Sequence, residues 1–303
     1  VARTMKPEVN MKLLIFSLCI NIIWATPTPI VLYHGMGDTC CFPFSMGRFT
    51  KILEDRIPGV YVHSIKVGES SVEDFTNSYF MNANKQINMV CEQLASDPML
   101  TDGFHAIGFS QGSQFLRAVI QRCGHILPPV KNYISVAGQH QGIYGLPDCG
   151  SLRHRACDDM RKLLNYAAYV SWVQTGLIQA TYWHDPLDEK TYAAKSILLA
   201  DINNEKVINQ TYIDNLKKVE HFVMVKFLND TVVQPVDSEW FAFYKPGQSK
   251  VMQSLQESDI YIQDRLGLKA MDKNKQLIFL ASEGNHLQFP NGWFESNLLQ
   301  YLV

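Results

Sequence analysis

Charge is scarce in this chain: Asp, Glu, Lys and Arg make up only 18% of its 303 residues, and the formal net charge is -2. It has no basic stripe and no run of like charges, so the electrostatic footprint of a nucleic-acid-binding protein is missing and that class is excluded. Internal repeats and low-complexity linkers are missing too, which argues for one main domain rather than an array. A CxxC pair is also absent, and with Cys40 and Cys41 adjacent and the other cysteines scattered, a zinc site is not expected. The apolar stretch 13–24 is shorter than the ~20 residues a spanning helix needs.

Apolar material, by contrast, is plentiful. Hydrophobic residues make up 47% of the sequence, enough for one large core. Near the start, Met11-Lys12 leads into the apolar run 13–24, which ends in the small residues Ala25-Thr26. This is the tripartite pattern of a secretory signal peptide, read here as 11–26. Residues 1–10 read as upstream translated sequence, and 27–303 as one domain. Once Cys19 leaves with the signal, six cysteines remain: Cys40, Cys41, Cys91, Cys123, Cys149 and Cys157. An even number in an oxidising compartment predicts disulfides. Sequons at Asn209 (Asn-Gln-Thr) and Asn229 (Asn-Asp-Thr) add weight to a lumenal fate.

Along the chain, short continuous apolar runs recur at 29–33 (PIVLY), 60–67, 104–109, 133–137, 222–228 and 276–281, with helical stretches between several of them. Runs of this kind read as strands buried on both faces, and their alternation with helices predicts a doubly wound α/β domain with a mostly parallel sheet. Between about 142 and 220 the pattern changes to a Tyr- and Trp-containing segment with helical periodicity at 160–177 and 191–199. It reads as an inserted lid or groove segment, though periodicity alone fits ordinary core helices equally well.

The sharpest local motif is Gly108-Phe109-Ser110-Gln111-Gly112, preceded by the strand FHAIGF and followed by helical spacing of Phe115, Leu116, Val119 and Ile120. A GxSxG on a strand-to-helix turn lifts a serine hydroxyl above the sheet, while its glycines let strand and helix approach. Serine is a weak nucleophile and needs a histidine oriented by a carboxylate, in the chain order Ser, Asp or Glu, His. Asp230 follows the run 222–228 and is the preferred acid, with Asp237 as runner-up. His286 follows the last apolar run and is the best placed of nine histidines, with His34, His140 and His184 as alternatives. Oxyanion donors are expected from the backbone amides of Gln111, next to the nucleophile, and Met36, in the glycine-rich turn HGMG after the first strand.

With these residues placed, the chain resembles the palmitoyl-protein thioesterase family, in its lysosomal type-1 branch, over nearly all of 27–303. The resemblance is carried by HGMGDTCCFPFSMG, AIGFSQGSQFLRAV, SVAGQHQGIYGLP, YWHDP, FVMVKFLND, PVDSEWFAFY, QDRLGLKAMD and EGNHLQF. It implies the α/β-hydrolase fold, Ser110 as nucleophile, His286 as base then acid, Asp230 as orienting carboxylate, and Met36 and Gln111 as oxyanion donors. It further implies disulfides Cys40–Cys41, Cys91–Cys123 and Cys149–Cys157, and an insertion that walls a groove for the fatty chain. A glycan associated with the family near Ala194-Lys195-Ser196 has no sequon here, which leaves glycan-dependent sorting to Asn209 and Asn229.

The expected function is therefore a serine thioesterase that removes long fatty acyl groups from protein cysteines, with no metal or organic cofactor. It would act in the lysosome, with some protein secreted, on S-acylated proteins or peptides, with transient membrane contact and a glycan-dependent sorting receptor as further partners. Two rivals stand beside it: a lumenal acyl-CoA thioesterase or lipase on the same fold, and a catalytically silent lipid-binding protein.

Overall fold

The computed structural model describes residues 26–145 and 164–303. Residues 11–25 of the expected signal peptide, Cys149 and Cys157 lie outside the described residues. Six parallel strands form one sheet: β1 (Ile30–Tyr33), β2 (Val62–Ser64), β3 (Phe104–Phe109), β4 (Val130–Val136), β5 (His221–Phe227) and β8 (Leu277–Ser282). Their order is β2-β1-β3-β4-β5-β8, and a small antiparallel pair, β6 (Phe243–Tyr244) and β7 (Met252–Gln253), stands apart from it.

The apolar runs are continuous because both faces of the sheet are covered. Along β1, Val31 and Tyr33 enter one apolar cluster while Ile30 and Leu32 enter the other; along β5, Phe222 and Met224 part in the same way from Val223, Val225 and Phe227. On the first face lie α3 (Ala83–Ser96) and α4 (Gln111–Cys123), joined by the Cys91–Cys123 disulfide. The second face is covered by α1 (Met46–Arg56) and the C-terminal helix Trp293–Leu298. All six strands match the expected runs, with boundaries moved by a few residues.

The segment between β4 and β5 departs from the expected periodicity. Of the helix expected over 160–177, residues 160–163 lie outside the described residues; residues 164–168 are helical, a break at 169–170 follows, and a short helix Ser171–Gly176 then passes into a 3-10 turn Ile178–Tyr182. Instead of one helix over 191–199, helices Glu189–Lys195 and Leu199–Ile202 are separated by residues 196–198. Gln174 shows one cause, since its side-chain amide donates to the carbonyls of Ala168 and Ala180, both at 2.6 Å, and its Oε1 accepts the Ile197 amide at 3.0 Å. A single buried side chain satisfies backbone groups that a continuous helix would pair by itself. The last helix of the segment, Gln210–Leu216, packs against α4: Asn215 donates to the carbonyl of Gln121 in that helix at 2.9 Å.

Strand order reverses direction around β1, whose neighbours β2 and β3 lie on opposite sides of it. In open α/β sheets such a switch point leaves a crevice at the carboxyl ends of the strands. The turn after β1 and the turn after β3 open into it.

Candidate active site

Ser110 follows β3 and takes φ 53°, ψ -121°, a strained conformation for a residue with a Cβ. The turn persists because its flanks are too close for side chains. A Cβ on Gly108 would lie 2.4 Å from the Cα of Ser113, and one on Gly112 would lie 2.3 Å from the carbonyl oxygens of both Tyr33 and His34. The β1 turn passes directly over the serine, where a Cβ on Gly35 would approach the Ser110 Cβ to 3.1 Å. Gln111 is the first residue of α4, so no earlier helical turn accepts its amide. Its side chain is fixed by donation to the Ser78 carbonyl at 3.0 Å and by the Tyr182 hydroxyl at 3.2 Å.

Asp230 follows β5 and His286 follows β8, and these two strands are hydrogen-bonded neighbours. His286 Nε2 lies 2.9 Å from Ser110 Oγ, and its Nδ1 lies 2.5 Å from Asp230 Oδ2. The other oxygen of Asp230 accepts the amides of Val232 and Val233 at 2.6 and 2.9 Å. Burial opposes the charge on Asp230, but the bonds to His286, Glu239 and the Val233 amide outweigh it and hold its pKa below the usual carboxylate value. The two loops are pinned to each other through Asn285, whose side-chain oxygen accepts the Thr231 amide at 2.9 Å and the His286 amide at 2.7 Å. Asn285 does not stand out in the sequence, and Thr231 does so only as the last residue of the Asn229 sequon.

The alternative residues sit elsewhere, in bonds of their own. His34 bonds Asp74 at 3.0 Å and Gly35 O at 2.9 Å; burial works against its charge, yet the contacts with Asp74 prevail and its pKa is raised. His140 bonds Ser135 at 2.8 Å and stacks on Phe241, and its burial pushes its pKa well down. His184 is stacked by Tyr192 and Phe243 and contacts Glu189. Asp237 forms an ion pair with Lys226 at 2.8 Å.

A cavity of about 340 Å³ opens at Ser110. That size lies within the ~300–1,000 Å³ range of small-molecule sites. Its walls come from the β4–β5 segment (Ile143, Leu164, Ala168, Val173, Leu177 and Trp183 among them), from Met36, and from Val232 and Val233 beside Asp230. Apart from Met36, the wall residues were not individually legible in the sequence, because an apolar residue facing a cavity looks like one facing the core. Asp230, Glu239 and His286 each offer an atom within 4.8 Å of the others, close enough for one cation. Two of the three are already committed, because the imidazole bridges Asp230 and Ser110.

Asn229 and Asp230 lie past the end of β5, in a turn, so it is not the alternation of a strand that separates them. The turn does: Asn229 is exposed while Asp230 is buried, and the amide of Asn229 donates to the Gly284 carbonyl at 3.1 Å. Asn209 is exposed as well, and its side-chain oxygen caps the helix Gln210–Leu216 through the Thr211 amide. Cys40 is bonded to Cys41, and Cys91 to Cys123.

Comparison with known proteins places this geometry in a family. The palmitoyl protein thioesterase family model matches residues 29–286. Palmitoyl-protein thioesterase 1 of Caenorhabditis elegans is 45% identical over 272 residues, covering 90% of each chain. Palmitoyl-protein thioesterase 3 of Dictyostelium discoideum is 34% identical over 279 residues, covering 92% of this chain and 91% of its own. The lysosomal thioesterase PPT2 of Homo sapiens is 27% identical over 253 residues, covering 82% of this chain and 78% of its own. The sheet order, the serine turn between β3 and α4 and these extended matches agree, and the chain is a member of the palmitoyl protein thioesterase family, an α/β-hydrolase that cleaves thioesters.

Proposed function

We propose that this protein removes palmitoyl and similar long acyl groups from protein cysteines, with Ser110 as nucleophile. The observation that carries the reading is the hydrogen-bonded chain Ser110–His286–Asp230 opening onto an apolar cavity. Ser110 Oγ attacks the thioester carbonyl as its proton passes to His286 Nε2, and the carbonyl oxygen gains the electron pair of the broken π bond. Amides of Met36 and Gln111 receive that oxyanion. Collapse breaks the C–S bond, and the imidazolium returns its proton to the cysteine thiolate. Water, deprotonated by His286, then attacks the acyl-serine; the second oxyanion collapses, Ser110 recovers its proton, and the free fatty acid leaves. Asp230 keeps the imidazole in the required orientation and stabilises its charge.

The cavity walls favour a long chain, each buried methylene contributing ~0.8 kcal/mol. The domain is 27–303, with 142–220 as the lid and groove segment. The expected signal at 11–26, the observed disulfides and exposed Asn209 and Asn229 support a glycoprotein of the lysosome, partly secreted, whose sorting receptor reads those glycans. A relative named as lysosomal supports the same destination. Transient membrane contact is supported by a ridge of touching rings, Phe44–Phe42–Phe75–Tyr79–Phe80, with Phe44 76% and Phe80 66% exposed. Tyr79 abuts Gly37, beside the cavity residue Met36, so a bilayer on the ridge would meet the cavity mouth. No helix among the described residues is long and apolar enough to cross a membrane.

The test is palmitate release from an S-palmitoylated peptide by wild type and Ser110→Ala, alongside acyl-CoA and triglyceride. Loss of peptide turnover in the variant supports the assignment. Wild-type preference for acyl-CoA or triglyceride would move the substrate to the second enzyme reading, and failure of a fluorophosphonate to label Ser110 would leave a lipid-binding protein.

A further inference from the structure

Behind Asp230 lies a second carboxyl group that the mechanism above does not use. Glu239 sits on the 3-10 turn Val236–Trp240 and is completely buried. Its Oε2 accepts the amide of Phe227, the last residue of β5, at 3.0 Å. The other oxygen, Oε1, is buried without a hydrogen-bond donor. The carboxyl faces Asp230 and His286, with atoms of all three within 4.8 Å of one another.

Two carboxylates so close in a dry site do not both carry charge; one keeps its proton. The surroundings decide which. Asp230 is bound by two amides and the imidazole, whereas Glu239 has one amide. The other charged groups nearby do not reverse this. Lys226 of β5 is engaged by Asp237, 2.8 Å away on the same turn as Glu239, and its ammonium lies over the Trp240 ring. Burial, reinforced by Asp230, pushes the Glu239 pKa well above the usual carboxyl value, while that of Asp230 is lowered. The proton therefore belongs to Glu239, and it has Asp230 to point at.

We propose that Glu239 is a positioning residue: a neutral acid that ties down the end of β5 with one oxygen, donates a hydrogen bond to Asp230 with the other, and so keeps His286 a working base under acidic conditions. The physical step is short. A donor on Asp230 draws its negative charge away from the imidazolium and so weakens the stabilisation of the protonated base. This inference rests on the Ser110–His286–Asp230 reading of the site.

Glutamine at 239 keeps both contacts, since its Oε1 can accept the Phe227 amide and its Nε2 can donate to Asp230. Leucine keeps the volume and loses both. The pH dependence of kcat/KM on an S-palmitoylated peptide separates tethering from tuning. Glu239→Gln should retain the wild-type acid limb, and Glu239→Leu should shift it about one pH unit toward neutral, the size expected for a lost charge-assisted bond. A leucine variant that folds and shows the wild-type limb would overturn the proposal.

A second measurement needs no activity and covers a leucine variant that does not fold. A carboxyl whose folded pKa is raised contributes stability below its unfolded value of ~4.3 and loses it as pH rises toward the folded value. Glutamine does not titrate, so the melting temperature of Glu239→Gln minus that of wild type should climb as pH rises above ~4.3. A difference independent of pH would place the proton elsewhere and refute the proposal. Failure of the triad reading looks different: Ser110→Ala would then retain turnover, whatever residue stands at 239.

Discussion

Asp74 and His34 form a buried pair, 3.0 Å from Oδ1 to Nε2, that ties α2 (Ser71–Phe80) to the turn leading to Met36. The same carboxylate accepts the Thr39 hydroxyl at 2.7 Å, the Cys40 amide at 2.9 Å and the Val67 amide at 2.7 Å. One side chain thus holds three segments of backbone around the proposed oxyanion donor.

Asp74→Asn tests this through pH. His34, with its pKa raised, adds stability that is complete below the ~6.5 of a free imidazole and fades as pH rises through its folded value. Burial opposes the charge of Asp74, but the His34 contact and the Val67 and Cys40 amides lower its pKa, so its share is complete above ~3.9 and fades as pH falls through the folded value. Melting temperature followed from pH 3 to 9, a range of about that span around both groups, should slope less in the variant than in wild type at both ends. Turnover should fall at least tenfold as the Met36 turn loosens, an expectation on the scale of losing an oxyanion donor.

Gly112→Ala tests the serine turn. A Cβ there meets two carbonyl oxygens at 2.3 Å, neither of them on a flexible side chain, so α4 must move away from β1. A loss of roughly 1–3 kcal/mol by urea unfolding is expected from overpacking. Fluorophosphonate labelling of Ser110 should fall further than that stability change implies, because the hydroxyl moves away from His286.

Arg117→Leu tests a buried cation. Arg117 is inaccessible to solvent; its guanidinium donates to the carbonyls of Ile202 and His140 and to Asn203, and lies 5.1 Å from the centre of the Phe241 ring. It joins α4 to the β4–β5 segment that walls the cavity. Leucine leaves the Asn203 side-chain oxygen without its donor, at a cost of about 1–3 kcal/mol for that buried group, while the carbonyls of Ile202 and His140 keep the side-chain amides of Gln121 and Asn203 at 2.8 and 3.3 Å. Lysine should rescue poorly, since a point charge does not reproduce the two-pronged geometry. Thermal unfolding of both variants decides the matter.

Ala168→Phe tests the cavity. Ala168 is a buried wall residue, and a phenyl ring there takes the volume of several acyl methylenes. At ~0.8 kcal/mol per methylene, three displaced groups lower kcat/KM for a palmitoyl peptide roughly fiftyfold. An octanoyl peptide should change little. Equal losses on both substrates would separate the cavity from chain-length selection.

How much of this was legible in the sequence varies with the physics behind each part. The four inner strands were readable because burial on both faces makes their runs largely apolar, as in FHAIGF and HFVMVKF, whereas the edge strands β2 and β8 are only partly buried and were found from the longer apolar stretches around them. Ser110, Asp230 and His286 each follow such a run directly, so finding the strands located them. The β4–β5 segment was readable as a change of pattern but not as elements, because Gln174 breaks its helices through contacts between residues distant along the helical repeat. Asp74 and Glu239 were invisible for a plainer reason: a buried acid and a solvated one are the same letter, and only the fold supplies their partners.

Ser110, Asp230 and His286 all leave the sheet at one rim, past the carboxyl ends of β3, β5 and β8. The opposite rim, where residues 98–103, 124–129, 217–220 and 274–276 lead into the strands, is therefore a handling surface. A fluorophore, an affinity tag or a surface tether attached there reports on or immobilises the protein a full strand length from its chemistry, and leaves the cavity mouth free for a bulky acylated partner.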